Sequence, residues 1–227
     1  MKDLADRICL MIVTDGRYGV LERTLDSFFR MAEFIPAKGL MIDDSGDIRY
    51  AEYLESLRPK LGGIAIYHHR SRIGFCETVA HGWSLVGEDA GYIFHLEDDF
   101  EFIEPVPLTE MVMILESDPK LAQIALVRQA WNDEEKAAGG LLNLHRRCLQ
   151  PQETNGRKWF LHHRCFTTNP SLYPRHITEK GWPSGPYCEG KFGIKVSQMG
   201  YYFGYLAPQN GINSVVHIGE KRIGAGY

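Results

Sequence analysis

Short apolar runs alternate with amphipathic stretches through the first half of the chain, the pattern of a parallel sheet flanked by helices. Ile8 to Val13 reads as a buried first strand. Leu21, Leu25 and Phe28, with Thr24 and Phe29 filling in, then fall at helical spacing. Leu40-Met41-Ile42 predicts a second strand and Ile64-Ala65-Ile66-Tyr67 a third. Between them, Tyr50, Tyr53, Leu54 and Leu57 stripe a helix from Ile48 to Leu57 that Pro59 closes. A helix from Phe75 to Val86 leads into the strand Tyr92-Ile93-Phe94-His95-Leu96, and a helix from Leu108 to Leu115 precedes a strand from Ala122 to Val127.

From Trp131 to Trp159 the periodicity lapses, and Gly139-Gly140, Pro151 and Asn155-Gly156 mark loop. A long irregular stretch inside a compact domain suits a lid or a binding loop. The last third predicts one helix, Gly190 to Met199, then strands over Tyr201–Leu206 and Ser214–Ile218. No internal repeat is present. The expected organisation is a ligand-binding α/β half over residues 1–130 and a second part of the same compact domain over 131–227.

With 227 residues, 44% of them hydrophobic, and a net charge of −4, the chain can bury a full-sized core. No apolar run approaches the roughly 18 residues that cross a bilayer. The N-terminal residues lack the apolar stretch of a signal peptide, so the expectation is a cytoplasmic protein. Cys9, Cys76, Cys148, Cys165 and Cys188 are odd in number and show no Cys-x-x-Cys spacing. They read as reduced thiols, with neither a disulfide framework nor a zinc knuckle indicated.

Chemistry gathers where strands end. Three expected strand ends are acidic: Thr14-Asp15, Asp43-Asp44 and Glu97-Asp98-Asp99. In open parallel sheets ligands sit beyond the carboxyl ends of the strands. Each pair alone also suits a turn or a helix cap. Three crowded carboxylates repel one another, nothing nearby in the sequence neutralises the last set, and a divalent cation with a diphosphate is a common use of such an end.

These segments resemble a family. Val13-Thr14-Asp15-Gly16-Arg17-Tyr18-Gly19-Val20-Leu21-Glu22-Arg23-Thr24-Leu25-Asp26-Ser27-Phe28 is similar to the opening of the GT-A nucleotide-sugar glycosyltransferases, especially their large inverting group. Met41 to Asp47 resembles that group's second strand end, and Tyr92 to Asp99 its Asp-x-Asp segment, here Glu97-x-Asp99. The resemblance implies an α/β fold of the GT-A (Rossmann-like) kind, a mostly parallel central sheet flanked by helices with a smaller C-terminal acceptor-side part. It implies that Thr14, Asp15 and Arg17 line the nucleotide pocket with Asp43, Asp44 and Arg72, and that Glu97 or Asp98 faces the ribose and sugar. Asp99 would bind Mn²⁺ or Mg²⁺, with His217 as a further ligand. Cys188 to Tyr201 resembles the helix carrying the family's catalytic base, which places Glu189 on the base position; the family usually has Glu-Asp there, and this chain has Cys188-Glu189. Lys221 and Arg222 would hold the diphosphate.

Trp182 and Tyr187, in a turn-rich aromatic loop before Glu189, are candidate acceptor contacts. From His145 to Arg164 the chain carries Arg146, Arg147, Arg157, Lys158 and Arg164 against only Glu153. That stretch suits an anionic small acceptor or a solvated face, and admits a polynucleotide with hydroxylated bases, as in modified DNA. The expected donor is a nucleoside diphosphate sugar, a UDP-sugar first. Two other classes stay open: a nucleotidyltransferase, which needs a glycine-rich basic loop after the first strand, and a non-catalytic binding module.

Overall fold

Strand β1 (Ile8–Thr14) shows how the molecule is layered. Its side chains alternate, Ile8, Leu10 and Ile12 entering one buried cluster and Cys9, Met11 and Val13 another on the opposite face. The computed structural model, which describes residues 2–219, is thus a sheet covered on both faces. The short helix α1 (Lys2–Arg7) precedes β1. One layer holds α2 (Tyr18–Met31), α3 (Ile48–Ser56) and α6 (Leu108–Ser117), which contribute Leu21, Leu25, Phe28, Tyr50, Leu54 and Met111. The other holds α5 (Phe75–Leu85) and α9 (Cys188–Gln198), which contribute Val79, Trp83, Phe192 and Val196. Asp47 caps α3, accepting from the Arg49 N–H at 2.9 Å. Pro59 does not close that helix; it sits in the first turn of a separate short helix, α4 (Arg58–Leu61), where its missing N–H costs nothing.

The remaining strands are β2 (Lys38–Asp43), β3 (Ile64–His68), β4 (Tyr92–Glu97), β5 (Phe100–Phe102), β6 (Leu121–Ala125), β7 (Gln150–Thr154), β8 (Arg157–His162), β9 (Ser171–Pro174), β10 (Tyr202–Leu206) and β11 (Val215–His217). Nine form one sheet in the order β3-β2-β1-β4-β9-β6-β10-β8-β7, and β5 pairs with β11 in a two-stranded ribbon. The pairings make β8 and β9 antiparallel to their neighbours, so the other strands of the sheet run one way.

The structure departs from the expected loop over 131–159. Helices α7 (Asp133–Ala138) and α8 (Leu141–Leu144) are followed by a 3₁₀ turn at Arg146–Cys148 and the hairpin β7–β8, which extends the main sheet. Asn155 and Gly156 make its turn with φ of 49° and 81°. β7 is largely exposed and reads Gln-Pro-Gln-Glu-Thr, so no apolar alternation announces it. β9 is a second unannounced strand, wedged between β4 and β6.

The cysteine reading also needs correction. Cys76 and Cys188, 112 residues apart, form a disulfide with their Cα atoms 5.9 Å apart, while Cys9, Cys148 and Cys165 are free. Spacing cannot reveal a bridge that only the packing of α5 against α9 creates. Disulfides of this kind persist in oxidising settings, so the cysteines do not support the cytoplasmic expectation. Among the described residues no helix is long and apolar enough to cross a membrane.

Candidate active site

Parallel register brings the acidic strand ends side by side. Thr14 pairs with Asp43, Val13 with Glu97, and Asp43 with His68. The ladder continues one step beyond the strands, with Asp98 N–H donating to Val13 O at 3.0 Å and Asp44 N–H to Thr14 O at 2.9 Å.

The three acids of the β4 end do different jobs. Asp98 is fully buried and turned inward, accepting from the Thr14 hydroxyl at 2.8 Å, the Asp15 amide at 3.0 Å and the Arg17 guanidinium. Burial nonetheless pushes its carboxyl up to about 6, against the pull of Arg17. It organises the β1–α2 turn. Asp99 shares Arg17 through its Oδ2, which also lies 3.2 Å from His217 Nε2. Its burial would raise its carboxyl, but His217 and Arg17 outweigh that and hold it below the usual range. These acids have no counter-ion nearby in the sequence; Arg17, more than eighty positions away, is that counter-ion.

Asp43 and Asp44 are also used internally. Asp43 accepts from the Ser45 amide at 2.8 Å and lies 3.1 Å from His68 Nδ1. Asp44 accepts from the Ile73 and Gly74 amides at 2.8 and 2.9 Å and meets His69 Nδ1 at 2.9 Å; His69 continues to His81 at 2.8 Å. Both acids thereby fix the segment before α5, including Arg72, which pairs with Asp15. The histidines were invisible as site members because they belong to β3 and to its following loop and helix.

Glu189 stands in the first turn of α9. Its Oε1 accepts from the Thr168 N–H at 2.8 Å, and burial pushes its carboxyl above the ordinary value. Glu97 lies between, raised well above the usual range first by burial and then by the charges of Asp99 and Glu189. One partly buried row of carboxyls thus links the β4 end to the start of α9. The disulfide at Cys188, one residue from Glu189, ties this start to α5.

Tyr187 precedes α9 in the left-handed region, φ 59°, and is 71% exposed. A non-glycine residue held there is uncommon and is found at functional sites. Trp182 instead packs into the aromatic cluster of the second layer, its ring centroid 4.8 Å from Trp83 and 5.0 Å from Phe192. Lys221 and Arg222 lie outside the described residues. Gln129, which no motif announces, clamps the His217 backbone through its side chain with bonds of 2.7 and 2.9 Å. His217 is further held against Trp131, ring centroids 4.0 Å apart.

A hard divalent ion fits this donor set in chemistry. Among the described residues Asp99 Oδ1 is buried without a hydrogen-bond partner, and the His217 imidazole converges on the same carboxylate. Among the described residues no group of three or more ligating side chains forms a closed protein cage. One carboxylate completed by phosphate oxygens and water is the open arrangement Mg²⁺ adopts on phosphorylated substrates, and His217 would add an imidazole donor.

No protein-family model and no curated protein matches the sequence. The fold has many likenesses among solved structures. A mannosyltransferase, PcManGT from Pyrobaculum calidifontis, in complex with GDP-Man and Mn²⁺, superposes with a TM-score of 0.64 at 15% identity over 96% of this chain and 58% of its own. GalNAc-T7 with UDP, GalNAc and Mn²⁺ gives 0.64 at 12% identity, over 94% of this chain and 44% of its own. S. aureus TarS 1-349 gives 0.61 at 8% identity, over 92% and 60%. The chain spans about half to three-fifths of the length of these proteins. With nearly the whole chain superposed and the acidic ends of β1, β2 and β4 gathered at one edge, its fold is that of the GT-A glycosyltransferases.

Proposed function

We propose that this chain is a metal-dependent glycosyltransferase that moves a sugar from a nucleoside diphosphate sugar to a hydroxyl acceptor with inversion at the anomeric carbon. The observation that carries the reading is the row Asp99, Glu97 and Glu189, which sets a buried carboxyl of raised pKa opposite an acidic strand end on a GT-A frame. Thr14, Asp15 and Arg72 form the wall of the nucleotide pocket, with Asp43 and Asp44 fixing its floor. Arg17, the counter-ion of Asp98 and Asp99, lines the nucleotide pocket as one cation near the diphosphate, which Lys221 and Arg222 are proposed to hold. Glu97 faces the sugar. A Mn²⁺ or Mg²⁺ ion held by Asp99 and His217 would supply Lewis-acid stabilisation of the departing diphosphate.

Glu189 is the general base. It takes the proton of the acceptor hydroxyl while that oxygen forms a bond to the anomeric carbon and the bond from that carbon to the diphosphate oxygen breaks, so the nucleoside diphosphate leaves with the electron pair. Burial raises the basicity of Glu189, and the Thr168 amide fixes its orientation. Tyr187 stands at the acceptor side with Trp182 behind it as packing. A uridine diphosphate sugar is the first donor to test and a guanosine diphosphate sugar the second. The nucleotidyltransferase alternative loses support because Asp15-Gly16-Arg17 is engaged with Arg72, Asp98 and Asp99 instead of forming an open basic loop.

Calorimetric titration of UDP- and GDP-sugars with Mn²⁺, followed by measurement of released nucleoside diphosphate, tests the reading. Binding of one donor with slow release, faster with an acceptor and giving a product of inverted anomeric configuration by NMR, is expected. Failure of every donor to bind would overturn it, and a retained configuration would remove Glu189 as the base.

A further inference from the structure

Beside Glu189 opens a pocket of about 270 Å³, walled by Leu141 of α8, by His145 and Leu149 on either side of the 3₁₀ turn, by the end of β8 and by Tyr205 of β10. It lies at the lower edge of small-molecule pockets and suits one compact unit. His162 and Tyr205 stack in its wall, centroids 4.6 Å apart and planes within 15°. Thr167 and Asn169 add polar groups beside Glu189.

The rim of this pocket is cationic in an acidic protein. Arg164 lines it, is exposed, and has no carboxylate within ion-pair distance among the described residues; its Nη1 donates only to Cys148 Sγ, at 3.6 Å. Cys148 belongs to the turn Arg146–Cys148, whose flanking residues His145 and Leu149 both line the pocket. Arg146 and Arg147 sit in that adjoining turn, both exposed and likewise without an ion-pair partner among the described residues. The remaining arginine of the wall is different. Arg128 is spent on Glu135, with bonds of 2.7 and 2.9 Å, and this pair folds the loop that closes one side. His162 and His145 add no charge at neutral pH, since burial pushes His162 down to about 4 and also lowers His145, each aided by nearby positive charge.

One exposed guanidinium thus lines a compact pocket that also holds the proposed base, and two more stand in the turn whose flanking residues line it. Solvated surface arginines need no such arrangement, and a planar fork is the group best matched to carboxylate or phosphate. We infer that this pocket takes a small acceptor bearing an anionic group, a phosphate ester or a carboxylate, which Arg164, Arg146 and Arg147 hold at the rim while a hydroxyl of the same molecule reaches Glu189. The inference rests on the glycosyltransferase reading for the role of the hydroxyl; anion binding at the rim does not depend on it.

The test uses the full chain with glucose 6-phosphate, glucuronate and glucose as probes, followed by ligand-observed NMR. The two anionic sugars should bind at least about tenfold more tightly than glucose, the scale of a charge-assisted contact. Arg164→Gln, and separately Arg146→Gln with Arg147→Gln, should each lower anion affinity by about tenfold, and neither should change binding of glucose. Equal affinity for charged and uncharged sugars, or unchanged anion affinity in both variants, overturns the assignment. Tighter binding of a single-stranded oligonucleotide than of either anionic sugar, weakening steeply with salt, overturns the small acceptor in favour of a polymer. Nucleotide-sugar binding by the wild-type chain, measured in parallel, decides the glycosyltransferase reading separately.

Discussion

Glu189 and Asp99 carry separable parts of the proposed chemistry, so single substitutions distinguish them. Glu189→Gln keeps the hydrogen bond from Thr168 but removes the proton acceptor. Turnover, read as nucleoside diphosphate release with an acceptor, should fall by about 10²–10⁴-fold while calorimetric donor affinity stays near that of the parent. The same residue sets the pH profile. Its carboxyl is raised by burial, and a base acts only when deprotonated. Activity should therefore be present at high pH and lost as pH falls through a value above the ordinary carboxylate range, an acid limb that the Gln variant should lack. Asp99→Ala should abolish Mn²⁺-dependent donor binding in calorimetry while circular dichroism remains native, because Asp98 still holds Arg17 and the β1–α2 turn.

Helix α9 is the element that positions the base, and it is pinned in two ways. Gly193 brings its backbone against residues 165–166, so that a Cβ there would come 2.7 Å from the Phe166 nitrogen. Gly193→Ala should displace the helix and cost about 1–3 kcal/mol in urea unfolding, with turnover falling more than donor affinity. The second pin is the Cys76–Cys188 bridge, which closes a loop of 112 residues between α5 and α9. Reduction should lower stability by about 4–5 kcal/mol on the chain-entropy account, read as a drop in Tm with reductant. A Cys76→Ala, Cys188→Ala double variant should show the lower Tm in both conditions.

At the scale of the molecule, donor and metal binding should appear as stability. A ligand that binds only the folded chain adds about 2.7 kcal/mol at a concentration one hundred times its Kd. Saturating donor with Mn²⁺ should raise Tm accordingly, and EDTA should return it to the value of the free chain. A rise that persists in EDTA would remove the metal from donor binding.

The alternation of apolar runs with amphipathic stretches determined β1 to β4, the longer helices between them and their order, because each such segment buries its stripe whatever its neighbours do. From that order the meeting of Thr14, Asp43 and Glu97 at one sheet edge was legible, since parallel strands joined by helices all present the same end. The tertiary structure alone decided how those acids divide their work. Asp98 turns inward and Asp44 serves backbone amides because Arg17, Ile73 and Gly74 arrive from distant parts of the chain. It also decided the β7–β8 hairpin, whose exposed strand has no apolar alternation to read, and the disulfide, which exists because two helix starts pack together. The arginine rim followed the same rule. Its residues were visible as a basic stretch, but only the tertiary structure puts Arg164 in the wall of one pocket with Glu189 and sets the Arg146–Cys148 turn next to it. Periodic burial is local and can be read along the chain, whereas counter-ions, bridges and pockets are made by contacts between segments far apart in sequence.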